Sequence, residues 1–126
     1  MIVFDTLDNL ELYQGISDKI LRVITIMDRS LPYDQGPGHY KCPEDDSVLY
    51  EIEAYPTTFN GKREIPSEKE YSMEIVLEGE AVTSIDEDNV FVMAPGRFLL
   101  LKGEVGIKRK MTRNIEKSVK SVIFRF

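Results

Sequence analysis

Apolar residues recur at helical spacing in the first third of the chain and at strand spacing afterwards. Ile2-Val3-Phe4 predicts a short opening strand. Asp8 followed by Glu11 has the spacing of a helix capping box, and Gly15 is a natural stop. A second helix opens at Ser17 as N-cap. Ile20, Ile24, Met27 and Leu31, with Val23 alongside, give it one apolar face, and Pro32 is expected to end it. Such faces must be covered, so the two N-terminal helices are expected on the outside of a sheet. A turn-rich connector from Tyr33 to Gly38 follows.

Beyond it the period becomes two. Val48, Tyr50, Ile52 and Ala54 alternate with Leu49, Glu51, Glu53 and Tyr55. Thr57 to Ser67 reads as a polar loop centred on Asn60-Gly61. Tyr71, Met73, Ile75 and Leu77 then alternate with Ser72, Glu74, Val76 and Glu78. Gly79 interrupts this strand, and Val82 to Ile85 continue it past a bulge or bend. Asn89 to Met93 is another strand, Ala94-Pro95-Gly96 a tight turn, and Phe98 to Leu101 a strongly apolar strand. Thr112-Arg113-Asn114 reads as a further turn, and Val122, Phe124 and Phe126 share a face of a closing strand. The pattern predicts a mainly β, antiparallel barrel or sandwich. It is expected to form one domain over 1–126, helical at about 7–31 and barrel at about 38–126.

Composition narrows the setting. The single cysteine, Cys42, excludes an internal disulfide framework and suits a reducing, cytoplasmic compartment. The start, with acidic residues by its fifth position, does not read as a signal peptide, and no apolar run reaches membrane-spanning length. Net charge is −6, unevenly spread: from Lys102 onward eight basic residues face two acidic ones, and the rest carries eight against twenty. So acidic a chain is not expected to bind nucleic acid.

Chemistry is sparse. His39 and Cys42 are three residues apart, a spacing two metal ligands could share, but the sequence has no other histidine or cysteine to complete a transition-metal site. His39 reads as a surface histidine at a strand start and Cys42 as a half-buried thiol. No transition metal or other cofactor is therefore expected, while an oxygen-only cation site stays open. A nucleophilic triad would have to use His39, and no phosphate-binding glycine motif occurs. Acid–base groups remain: Glu53, Glu74, Tyr55 and Glu104, all on or near strands that could line a barrel. Lys108, Arg109, Lys110 and Arg113 could hold a small anion.

Five segments, taken in order, resemble the YhcH/YjgK/YiaL family, whose members include the small β subunit of the evolved β-galactosidase. They are the opening Met1 to Tyr13, Tyr55-Pro56-Thr57, Glu74 to Glu80, Met93 to Phe98 and Val119 to Phe124. The resemblance implies a cupin-like double-stranded β-helix, often dimeric, and a role in sugar metabolism with a metal in the barrel. The ligand positions differ, however. Counting from Gly79 places the family's Glu-x-His at Ile65 and Ser67 and its aspartate at Ser72. Counting from Gly96 places two histidines at Glu104 and Ile107, and counting from Tyr55 places the first at Glu68. The segment between Ile85 and Val90 is also short against the family.

Two functions follow as expectations. One is a noncatalytic or weakly active protein that binds a carbohydrate or sugar acid, or serves as a homodimer or subunit of a larger sugar enzyme. The other is a metal-free sugar anomerase, isomerase or epimerase using Glu74, Glu104 and Tyr55. The lost ligands and shortened wall favour the first. A pocket of Glu53, Tyr55, Ser72, Glu74 and Glu104 suits a neutral sugar, and one reached by Lys108, Arg109 or Arg113 suits an anionic one. A barrel plugged by Phe98, Leu100 and Ile107 leaves only an interaction role.

Overall fold

The computed structural model describes residues 1–55, 60–64, 69–85, 89–102, 107–112 and 118–126. Six strands form the larger sheet: β1 (Ile2–Thr6), β2 (Gly38–Cys42), β3 (Asp45–Tyr55), β5 (Tyr71–Glu78), β8 (Arg97–Lys102) and β10 (Val119–Arg125). Their order is β1-β8-β5-β10-β3-β2, antiparallel throughout. The smaller sheet holds β4 (Asn60–Glu64), β6 (Ala81–Ile85), β7 (Asn89–Met93) and β9 (Ile107–Thr112) in the order β4-β9-β6-β7. The mainly β sandwich expected from the alternation is what forms. β1 belongs to the larger sheet, so that sheet begins ahead of the helices and not at about residue 38.

The larger sheet is covered on both faces. Tyr71, Met73, Ile75 and Leu77 of β5 join Val48, Tyr50, Ile52, Phe98, Leu100, Val122, Phe124 and Phe126 in one apolar cluster with the helices. The opposite residues meet the smaller sheet, where Val76, Leu99, Leu101 and Val119 pack with Ala81, Ile85 and Met93. Phe4 of β1 and Phe91 of β7, with ring centroids 5.2 Å apart, close one side of the sandwich. Phe98 and Leu100 therefore do not plug the space between the sheets; Leu99 and Leu101 occupy that face. Ile107 lies in β9, where only the main chain is described.

The helical segments correct the sequence in three respects. Residues Leu7–Tyr13 form a 3₁₀ helix, and its N-cap is Thr6, which makes no side-chain capping bond. Asp8 is thus inside the helix and not its cap. The next helix, α1, spans Ile20–Asp28, with Lys19 as N-cap; the Ser17 hydroxyl only accepts the Lys19 N–H at 3.3 Å. Its most buried residues are Ile20, Val23 and Ile26, while Ile24 and Met27 are partly buried against the same cluster. Ser30, with φ of 58°, ends this helical run, and Pro32 sits in the first turn of a second short helix, α2 (Leu31–Asp34). Proline is tolerated there because a first-turn N–H has no intrahelical acceptor. Cys42 is fully buried beneath the helices, not half-buried.

Asn60–Glu64 is a strand, not a loop. Its five residues pair with β9 from Asn60 opposite Met111 to Glu64 opposite Ile107. This edge strand has no apolar alternation, so its partner's hydrogen bonds, and not its own pattern, hold it extended. The predicted turn at Thr112-Arg113-Asn114 begins on the last residue of β9 and otherwise lies outside the described residues. Among the described residues no helix is long and apolar enough to cross a membrane.

Asp5 ties β1 to the 3₁₀ helix. Its carboxylate accepts hydrogen bonds from the Tyr13 hydroxyl at 2.6 Å and from Asn9 at 3.0 Å. These bonds, Tyr13's foremost, hold the Asp5 carboxyl below its ordinary value of 3.8. A depressed folded-state value stabilises the fold above that ordinary value, and the contribution is lost as pH falls below it. Tyr13→Phe should raise the Asp5 value toward 3.8, read by NMR titration of its carboxyl carbon, and should flatten the acid limb of stability.

Gly79 is where the chain leaves β5 for β6 and so crosses from one sheet to the other. Its φ is +78°, and an added Cβ would stand 2.5 Å from the Ser118 carbonyl oxygen. Both the conformation and the contact require glycine. Gly79→Ala should cost about 2 kcal/mol or more, measured as a lowered urea midpoint with unchanged m-value. An unaltered midpoint would remove this constraint.

Candidate functional site

Across the larger sheet the residues facing the smaller one change character. On the β1 side they are Phe4, Leu99 and Leu101; on the β2 side they are largely polar. β5 stands at the boundary and contributes Ser72 and Glu74, which are 9% and 1% exposed. β10 contributes Ser121, Ile123 and Arg125, and β3 contributes Leu49, Glu51 and Glu53. The register sets Glu51, Ile123 and Glu74 side by side, with Glu53 beside Ser121 and Ser72 beside Arg125.

Glu74 is the most buried carboxylate among the described residues. Among its partners is the Thr83 hydroxyl of β6, which donates across the gap between the sheets at 3.0 Å. Thr83 is fully buried. An ionised carboxylate accepts at about four positions, so Glu74 can serve several donors at once. The Ser121 hydroxyl is also fully buried and has no partner among the described residues. An unsatisfied buried hydroxyl costs about 1–3 kcal/mol. A polar group placed between the sheets would recover that cost.

At the β2 side lies a cleft of about 460 Å³ lined by His39, Tyr40, Lys41, Leu49, Tyr50 and Arg125. His39 and Lys41 pair in register with Glu51 and Leu49. Arg125 Nη1 lies 3.3 Å from Glu51 Oε2, and His39 Nδ1 is 3.7 Å from the same oxygen. The tyrosine hydroxyls turn to the helical side, Tyr40 donating to the Gly36 carbonyl and Tyr50 to Gln35. Burial pushes the Tyr50 phenol above its ordinary value, so it remains a donor.

Of the residues singled out from the sequence, Glu53, Ser72 and Glu74 share the inward face of the larger sheet. Tyr55 ends β3 opposite Val119, and only its main chain is described. The register of β9 sets Lys108 opposite Ile85, Arg109 opposite Ser84 and Lys110 opposite Thr83; their side chains lie outside the described residues. Glu104 and Arg113 lie outside the described residues altogether. Thr83, Ser121, Glu51 and Arg125 were missed. A signal for two of them exists: Ser121 and Arg125 alternate with the apolar Val122, Phe124 and Phe126, so they belong to the other face.

The described residues do not by themselves assemble a transition-metal site. Among the described residues no three of His, Cys, Asp and Glu stand together as a metal site. His39 is exposed on the cleft side, whereas Cys42 is buried under the helices with its thiol toward Glu44 at 3.6 Å. The pair therefore does not share a site. Ser72, standing where the resemblance implies an aspartate, offers only a neutral hydroxyl, a weak ligand for such ions.

No protein-family model matches the chain, and no curated protein matches it in sequence. Solved structures do match it in shape. A cupin-2 domain protein from Shewanella frigidimarina is 15% identical, with a TM-score of 0.52 over 85% of this chain and 97% of its own. The cupin-2 domain of an XRE-family transcriptional regulator from Enterobacter cloacae is 14% identical, with a TM-score of 0.55 over 71% and 95%. The hydroxypropylphosphonic acid epoxidase of S. wedmorenis is 14% identical, with a TM-score of 0.52 over 69% of this chain but only 47% of its own. The fold is that of the cupins. Cupin neighbours thus include a regulator's domain and an enzyme, so the fold alone selects neither role.

The Glu74–Thr83 bond spans the two sheets of this cupin-like fold and can be tested by itself. Thr83→Val keeps the side-chain shape but leaves Glu74 one donor short. It should lower unfolding free energy by about 1–2 kcal/mol, measured by urea denaturation. Wild-type stability in this variant would show that the bond contributes nothing.

Proposed function

We propose that this cupin barrel binds a small hydroxylated molecule, a carbohydrate, between its sheets, and that it does so as a noncatalytic or weakly active protein or as an accessory subunit of a sugar enzyme. The single observation behind this reading is the fully buried, unpartnered Ser121 hydroxyl on the same inward face as Glu74. A sugar ring offers adjacent hydroxyls that donate to a carboxylate and accept from a serine, so one ligand can serve both groups. The family resemblance in the sequence points to sugar metabolism as well, and the replacement of its ligand positions argues against its metal chemistry.

Glu74 also favours a second reading. A buried carboxylate between the sheets could exchange sugar anomers: it takes the proton of the anomeric hydroxyl as the ring C–O bond breaks, while a water molecule gives the ring oxygen a proton. Ring closure on the opposite face reverses each transfer. The reaction is slow but spontaneous in water, so modest acid–base help would be sufficient.

One pair of measurements separates the two. Calorimetric titration with neutral monosaccharides should find a binder, and Ser121→Val and Glu74→Gln should each weaken it about tenfold. Exchange NMR of the same sugar's anomers should show no acceleration by the wild type. Acceleration that Glu74→Gln abolishes would establish the enzyme instead, and binding indifferent to both substitutions would remove this site.

A further inference from the structure

We infer that the cleft beside β2 receives the carboxylate of an acidic, hydroxylated ligand, with Arg125 as its principal donor and Lys41 as its second cation. This rests on the carbohydrate reading for the hydroxylated part of the ligand, but the anion cleft has its own evidence. Arg125 is largely buried, its side chain 14% exposed, and one of its amino nitrogens is directed to Glu51. Its Nε is buried with no partner among the described residues. A guanidinium binds carboxylates through two parallel N–H groups, and the Nε edge is one such fork. The contact with Glu51, at 3.3 Å, is long for a charge-assisted bond and uses one nitrogen only.

The surroundings suit an anion. Lys41 and Arg125 both line the cleft, and Glu51 faces Arg125. His39 adds a ring nitrogen near the same carboxylate. The cleft is continuous in register with the inner site: Ser72 pairs with Arg125, and Glu74 pairs with Ile123, two residues along the same strand. A ligand seated with its charged end at Arg125 would therefore extend its hydroxyls toward Ser72, Glu74 and Ser121. This places the acid-binding group on β10 and β2, at positions other than Lys108, Arg109 and Arg113.

The test uses the full chain, labelled with nitrogen-15, titrated at low ionic strength with gluconate, sorbitol and butyrate. Gluconate carries hydroxyls and a carboxylate, sorbitol only hydroxyls, and butyrate only the carboxylate. Gluconate should shift the amide signals of His39, Lys41, Leu49 and Arg125 together with those of Ser72 and Ser121, and bind about tenfold tighter than sorbitol. Arg125→Gln should erase that advantage, and the exposed Lys41→Gln should reduce it without touching the fold. Glu51→Gln should strengthen gluconate binding by removing a competing carboxylate, an effect that a purely structural Arg125–Glu51 pair does not produce.

Equal binding of gluconate and sorbitol in the wild type would overturn the cleft while leaving the carbohydrate reading intact. Butyrate shifting the cleft amides while sorbitol shifts nothing would do the reverse, upholding the anion cleft and removing the sugar. Gluconate shifts confined to other residues would overturn both.

Discussion

The larger sheet must be buried on both faces, and the rest of the molecule follows from that requirement. Helices cover one face and the smaller sheet the other, so every residue of β5 from Tyr71 to Leu77 is buried. Each large side chain removed from water in this way contributes about 1.5–3 kcal/mol. Against that background, four buried polar residues stand out among the described residues: Ser72, Glu74, Thr83 and Ser121. The apolar packing between the sheets comes from Val76, Leu99, Leu101 and Met93 on the same face. Polar groups placed where apolar ones would pack better are where a fold gives up stability for a task.

Much of the fold was legible because strands covered on one polar and one apolar side announce their period. β3, β5, β7, β8 and β10 were located from alternation and turn residues, and the glycine turns fell where φ is positive, at Gly79 and Gly96. The failures have local causes. β4 carries no apolar alternation and is held by β9, so its residues read as loop. The 3₁₀ helix is only seven residues long, and its apolar Leu10 is buried by packing and not by a capping signal. Pro32 can end a helix or begin one, and Ser30 in the left-handed region decides which.

The site was legible in part, for a related reason. Alternation places Ser72 and Glu74 together on one face of β5 and Glu53 on one face of β3, and the register brings these faces to the same side of the sheet. Alternation on its own does not say which of two buried faces receives the helices. Phe98 and Leu100 were candidates for the barrel interior, whereas the sheet turns them to the helices and gives Leu99 and Leu101 to the interior. Alternation gives the face of Arg125 but not its role, because Glu51, seventy-four residues away, and Ser72, beside it in register, are distant in sequence.

The inward face therefore has two halves with different jobs. Its apolar half, from Phe4 and Phe91 to Leu101, closes the sandwich and excludes water. Its polar half runs from Glu74 to the cleft at His39 and Lys41, and offers acceptors inside and cations at the rim. Hydrogen bonds gain strength where water is excluded, so the apolar half raises the value of each polar contact beside it. On the proposed reading, long-range attraction would act first at the rim, where Lys41 is exposed, and short-range hydrogen bonding would act deeper, at Glu74 and Ser121. On that reading, a charged end would fix the ligand's direction at the rim, and the buried oxygens would read the rest.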